Sequence, residues 1–207
     1  THVDSPKSFW ENDNFLLKSE FSGQTPLIED TVAWIGKGYG QDENGQEKQN
    51  YMYSLPDNGT QDYIGKPGTT FYTAPWHASA NQDPIWIGYG SKDLPVENFR
   101  DNLAFLDLVS VDGPGDVELF TNKADEDGAE LHRMLGSFKD SPHSTYLNAS
   151  SHTHNATLFT KPGRYRLTFR TTARTADGQL VAGEPQTTSY QVGGQKPKDE
   201  KLSLIHI

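Results

Sequence analysis

Turn-forming clusters interrupt this chain so often that no long helix can be written into it. Asp-Glu-Asn-Gly (42–45), Asp-Asn-Gly (57–59), Lys-Pro-Gly (66–68), Gly-Ser-Lys-Asp (90–93) and Asp-Gly-Pro-Gly (112–115) divide it into short segments. Glycine accepts positive φ, proline pre-sets φ and removes a donor, and Asn or Asp bonds its own backbone. The segments between them are rich in aromatic and β-branched residues and read as strands: 15–21, 31–37, 51–55, 69–73, 85–89, 103–111, 116–121, 132–138, 157–159, 164–172 and 187–192. The clearest is 165–171, where Tyr165, Leu167 and Phe169 alternate with Arg166, Thr168 and Arg170. That period of two gives one apolar and one cationic face. Asp177-Gly178 offers a hairpin turn into 179–182. Only 94–102, with Pro95 and Glu97 at its start, has the pattern of one or two helical turns.

These strands predict an all-β fold, an antiparallel β-sandwich that is Ig-like in its C-terminal half, about residues 106–193. Residues 1–193 form one domain, and the Gly/Lys/Pro-rich 194–207 reads as a flexible linker and tail. The polar stretch 40–50 reads as a loop. At 207 residues with 33% hydrophobic side chains the chain can bury a core, and it lacks the long apolar run of a transmembrane helix. A net charge of −10 disfavours phosphate backbones, so nucleic acid is not among the expected partners. No cysteine is present, which excludes disulfides, thiolate nucleophiles and zinc–thiolate sites. The opening Thr-His-Val-Asp has neither an initiator Met nor a signal peptide and reads as an excised mature region.

Chemistry concentrates in Ser-His-Thr-His-Asn (151–155). On an extended strand His152 and His154 point to one face, their Cα atoms about 6.5–7 Å apart, and two imidazoles so placed can converge on one ion. Ordinary polar strand histidines have the same spacing. If the strand continues, the pair shares a face with Ala156 and Leu158, where an imidazole needs a partner such as a metal, a carboxylate or a carbonyl. His2 and Asp4 also share a face when extended, but on their own they read as frayed terminal residues. His77 lies in a loop before 85–89, and His132 and His143 have no companion at ligand spacing. Asp125-Glu126-Asp127 lacks the spacing of a calcium loop. Trp10, Trp34, Trp76 and Trp86 offer either core packing or a sugar-stacking platform. Three Asn-x-Ser/Thr matches begin at Asn58, Asn148 and Asn155. No nucleophile elbow, His-Glu-x-x-His or phosphate-binding loop occurs, so the expected function is not enzymatic.

Several ordered segments resemble the actinobacterial surface-anchored protein domain of choice-of-anchor M type cell-wall proteins. They are Val-Asp-Gly-Pro-Gly-Asp-Val-Glu-Leu-Phe (111–120), Ser-His-Thr-His-Asn (151–155), Phe-Thr-Lys-Pro-Gly-Arg-Tyr-Arg-Leu-Thr-Phe (159–169) and Tyr-Gln-Val-Gly (190–193). Thr-His-Val-Asp (1–4) and Pro-Ile-Trp-Ile-Gly (84–88) resemble segments of its first half, and Ala156 stands where the family usually has an aromatic. Such proteins are typically encoded with ABC-type importers of zinc or manganese. The resemblance therefore implies capture or hand-over of a divalent transition metal at the cell wall of a Gram-positive bacterium. It supports His152 and His154 as ligands and adds His2 as a third, with water, a carboxylate or His77 as the fourth. Asn155 and Asp4 would act as outer-shell residues that orient the imidazoles. Neutral imidazoles favour Zn²⁺, and an oxygen-rich set would favour Mn²⁺. A surface adhesin or carbohydrate-binding module using exposed aromatics is the alternative. A metal-dependent hydrolase ranks below both, because no general base is evident beside the histidines.

Overall fold

A computed structural model describes residues 2–36, 52–76, 85–125, 128–194 and 205–206. In chain order the strands are β1 (His2–Glu11), β2 (Asn14–Glu20), β3 (Thr31–Ile35), β4 (Met52–Ser54), β5 (Thr70–Ala74) and β6 (Trp86–Lys92). They continue as β7 (Ala104–Asp112), β8 (Val117–Asp125), β9 (Gly128–Gly136), β10 (Ser144–Leu147), β11 (Ser151–His154) and β12 (Ala156–Phe159). The last four are β13 (Gly163–Arg174), β14 (Leu180–Ala182), β15 (Gln186–Val192) and β16 (Ile205–His206). The 94–102 segment makes only two 3-10 turns, Val96–Asn98 and Arg100–Asn102.

The protein is all-β, as its turn spacing requires. One sheet runs β11-β6-β1-β2, a second β10-β7-β13-β15-β3-β16 with β14 beside β13, and a third β4-β5-β12-β8-β9. Pairing is mostly antiparallel, but β1 runs parallel to β6, and β3 runs parallel to both β15 and β16. Parallel neighbours need long crossovers rather than tight turns, and a reading built on local turns has no means of finding them. Ile205–His206, expected within a flexible tail, pair with Thr31 and Val32. The loop 40–50 lies outside the described residues.

The main core is shared by all three sheets. Tyr165, Leu167 and Phe169 of β13 are fully buried in it, while Arg164 and Arg166 are exposed on the opposite face. The Tyr165 hydroxyl donates to Lys161 O at 2.7 Å, which ties the ring to the turn that starts its own strand. A Cβ on Gly113 would sit 2.4 Å from that ring, so the Gly-Pro-Gly turn can lie against it only with glycine there. A second, smaller cluster forms around Leu55, Phe120, Ala156 and Leu158. Strand β12 lies between the two clusters, with Phe159 in the first, and all four of its residues are buried.

Strand β1 is central in its sheet rather than frayed, and Val3 to Ser8 are all buried. Its polar side chains are bonded inward. Ser8 Oγ lies 2.7 Å from Thr171 Oγ1, and Ser5 Oγ lies 2.7 Å from Ser19 Oγ. Buried hydroxyls in pairs avoid the penalty of unmet hydrogen bonds, so the amino-terminal segment is locked to the core without apolar side chains at every position.

Phe169→Ala removes a fully buried ring from the shared core. The expected loss is about 3–5 kcal/mol of unfolding free energy, read as a lowered urea midpoint at constant m-value. A loss below about 1 kcal/mol would contradict a packed core at this position.

Candidate metal centre

Side chains paired across neighbouring strands point to the same face of a sheet. In the four-stranded sheet Asp4 pairs with Gly88, and Gly88 pairs with His154 on the other side. The next row is Lys7, Gly90 and His152. Each row therefore has functional side chains on the outer two strands and only a hydrogen between them. The register of β1 on β6 shifts between Asp4 and Lys7, with three residues of β1 spanning two of β6. A regular strand would turn residues three apart to opposite faces; this bulge returns Lys7 to the face of Asp4.

Glycine is required in β6 for a second reason. A Cβ on Gly88 would lie 2.1 Å from Thr153 O, and one on Gly90 would lie 2.3 Å from Ser151 O. Any side chain at either position would push the β11 backbone away and carry its histidines with it.

The side chains meet as this register dictates. His2 Nε2 and His154 Nε2 are 3.0 Å apart, and His2 Nε2 is 3.9 Å from Asp4 Oδ1. The three ligand atoms of His2, Asp4 and His154 lie within 4.8 Å of one another. Zinc–nitrogen bonds of about 2.0–2.1 Å in a tetrahedron hold donor atoms about 3.3–3.4 Å apart. The cluster is thus close to the span of a coordination sphere. Asp4 is only 1% exposed, yet its Oδ1 accepts no hydrogen bond. Buried carboxylate oxygens are almost always paired, so an unpaired one beside two imidazole nitrogens is chemically suited to a cation.

The other oxygen of Asp4 is fully engaged. Oδ2 accepts from Lys7 Nζ at 3.1 Å, and His152 Nδ1 lies 2.5 Å from it. The His154 ring stacks on Trp86 with centroids 3.8 Å apart, and His2 meets the same indole edge-on at 5.0 Å. Trp86 is itself held by its indole N–H, which donates to Trp76 O at 2.7 Å. Burial lowers the pKa of His154, the nearby His2 lowers it further, and Asp4 opposes the shift.

The structure groups Asp4 with His2 and His154 and leaves His152 beside that cluster. Asp4, expected to orient a ligand, places an oxygen inside the cluster. His152, expected as a ligand, lies one row further along β11 and has its Nδ1 beside the far oxygen of Asp4, with its side chain 59% exposed. Asn155 Oδ1, the atom that could accept from an imidazole, has no hydrogen-bond partner, and only the Nδ2 amide group is engaged. That group donates to Ala156 O at 3.0 Å and Thr157 Oγ1 at 3.1 Å, across the step where the chain leaves β11 and enters β12 in another sheet. The strand of His152 and His154 therefore does not run on unbroken to Ala156 and Leu158. Burial of Asn155 also closes that glycosylation match, whereas Asn58 is exposed. His77, and Glu126 and Asp127 of the carboxylate run, lie outside the described residues.

The residue that position-by-position reading missed is Lys7, whose partners appear only once β1 is placed between two strands. Beside the cluster, His152 and His154 border a cavity of about 340 Å³ that is also lined by Trp76, His132, Tyr146 and Asn148. His143 is exposed elsewhere on the surface. No helix among the described residues is long and apolar enough to cross a membrane. Comparison of the chain with protein families, curated proteins and solved structures gives no match.

Two outcomes follow from this geometry. Gly88→Ala, a change of one methyl group, is expected to displace β11 and with it His154, measured as loss of the Trp86–His154 ring-current shift in NMR spectra. In the metal-free protein the His154 ring is expected to titrate below the ordinary value of about 6.5. As pH falls the unfolded chain then takes up this proton first, so stability declines below about pH 6.5 and levels off beneath the folded-state pKa. Urea titrations of wild type and His154→Gln across pH 7.5–5 measure it, with the difference between them shrinking toward acid.

Proposed function

We propose that this protein binds a divalent transition metal through His2, Asp4 and His154, in a binding rather than a catalytic role. The observation that carries this reading is the buried, unpaired Oδ1 of Asp4 facing two imidazole nitrogens 3.0 Å apart. Two nitrogens and one oxygen suit zinc better than manganese, since imidazole is a poor match for a hard, oxygen-preferring ion. The resemblance to cell-wall domains associated with zinc and manganese importers supports the same reading. It adds the proposal that the protein captures metal outside the cell and passes it to an ABC-type importer. The partly exposed His2 and the exposed His152 beside the cluster fit a site that loads from solvent.

A carbohydrate-binding reading has one observation in its favour. The cavity beside the cluster combines Trp76 and Tyr146 with Asn148 and the hydroxyls of Thr121, Thr145 and Ser151. Aromatic faces with amide and hydroxyl groups suit a neutral sugar, and glycan binding that persists in chelator would support it.

Calorimetric titration with ZnCl₂ tests the metal reading. Wild type is expected to bind one ion, and His2→Ala/His154→Ala to abolish binding. His152→Ala, which removes only a partner of Asp4, is expected to weaken affinity about tenfold. Binding also links β1 to β11, and at a hundredfold excess of zinc over Kd the folded state gains about 2.7 kcal/mol. Unchanged affinity in the double variant would overturn the assignment.

A further inference from the structure

We propose that Lys7 determines which metal this site prefers, by neutralising Asp4 and leaving it a single oxygen with which to coordinate. The proposal rests on the metal reading above. Lys7 is 3% exposed, and its ammonium group bonds Asp4 Oδ2 at 3.1 Å and Glu20 Oε1 at 2.8 Å. A lysine so deeply placed is costly to desolvate and is retained only with well-formed partners. The bulge between Asp4 and Lys7 is the backbone feature that aims it at this face.

The consequence for a bound cation is electrostatic and geometric together. With Lys7 and His152 both on Oδ2, Asp4 can present only Oδ1 to a metal. Chelation by both oxygens is blocked. The charge that would attract a dication is also offset by a fixed ammonium group on the same carboxylate. Hard cations such as Mn²⁺, Mg²⁺ and Ca²⁺ depend on carboxylate charge and on the number of oxygens. Zinc draws more from imidazole nitrogen, which Lys7 does not touch. Lys7 therefore penalises the hard ions more than zinc and acts as a positioning residue for selectivity, without being a ligand.

The test compares Kd values for Zn²⁺ and Mn²⁺ in wild type, Lys7→Met, Lys7→Arg and Glu20→Gln, with circular dichroism to establish folding. Lys7→Met is expected to bring the two affinities together by about tenfold or more, through tighter Mn²⁺ binding. Lys7→Arg keeps the charge and is expected to retain the wild-type ratio. Glu20→Gln removes the other anion on Lys7 and is expected to widen the ratio. A Lys7→Met protein that binds zinc with an unchanged ratio overturns the role of Lys7 alone. Should Lys7→Met fail to fold, an unchanged ratio in Glu20→Gln overturns it. A wild-type protein that binds no zinc overturns the metal reading, and the Lys7 proposal falls with it.

Discussion

A carboxylate that is almost wholly removed from water governs this part of the molecule. Asp4 lies in the interior of a sheet, and one lysine and three histidines are arranged about its two oxygens. Lys7 and His152 take one oxygen, and His2 and His154 stand at the other. Removing a charge from water without partners costs several kcal/mol. The strand that carries Asp4 can therefore occupy its central position only because a lysine from the same strand and histidines from β11 arrive with it. Glu20 closes the group from β2, so three strands contribute to one set of charges.

The site depends on distant parts of the chain meeting at one strand. β1 and β11 never touch as paired backbones; β6 lies between them and hydrogen-bonds to both. Two glycines in β6 make that arrangement compact, because they leave the space above the strand to its neighbours' side chains. Asn155 then ends β11 abruptly and hands the chain to another sheet, where β12 is buried on both faces. The histidine strand is thus fixed at one end by the core of the third sheet, which limits how far His154 can move away from Trp86. Ser8, bonded to Thr171, fixes β1 to the second sheet in the same way.

Much of the scaffold was legible in the sequence because its information is local. The alternation at 165–171 and the Asp177-Gly178 turn specify a strand and a hairpin with no reference to the rest of the chain, and both are present. The His-x-His pair was legible for the same reason, since its spacing of two defines a shared face. What could not be read was non-local. β1 has the composition of an exposed segment, with Asp4, Ser5, Lys7 and Ser8 buried only through partners far along the chain. The different neighbours of His152 and His154 follow from the register of β11 on β6, which no spacing rule encodes. One trace was available: in 87–90 the pattern Ile-Gly-Tyr-Gly alternates large and absent side chains. That pattern describes a strand with one packed face and one vacant face.

The vacant face changes how related chains ought to be recognised. A motif search for paired histidines will collect many unrelated strands, because imidazoles two apart are common and carry no record of what lies opposite. Adding the requirement for two alternating glycines on a separate β-strand, upstream of the histidines, selects for the room between the strands' side chains. In this architecture an alanine in place of the first glycine would mark a descendant that kept its histidines but lost their meeting point.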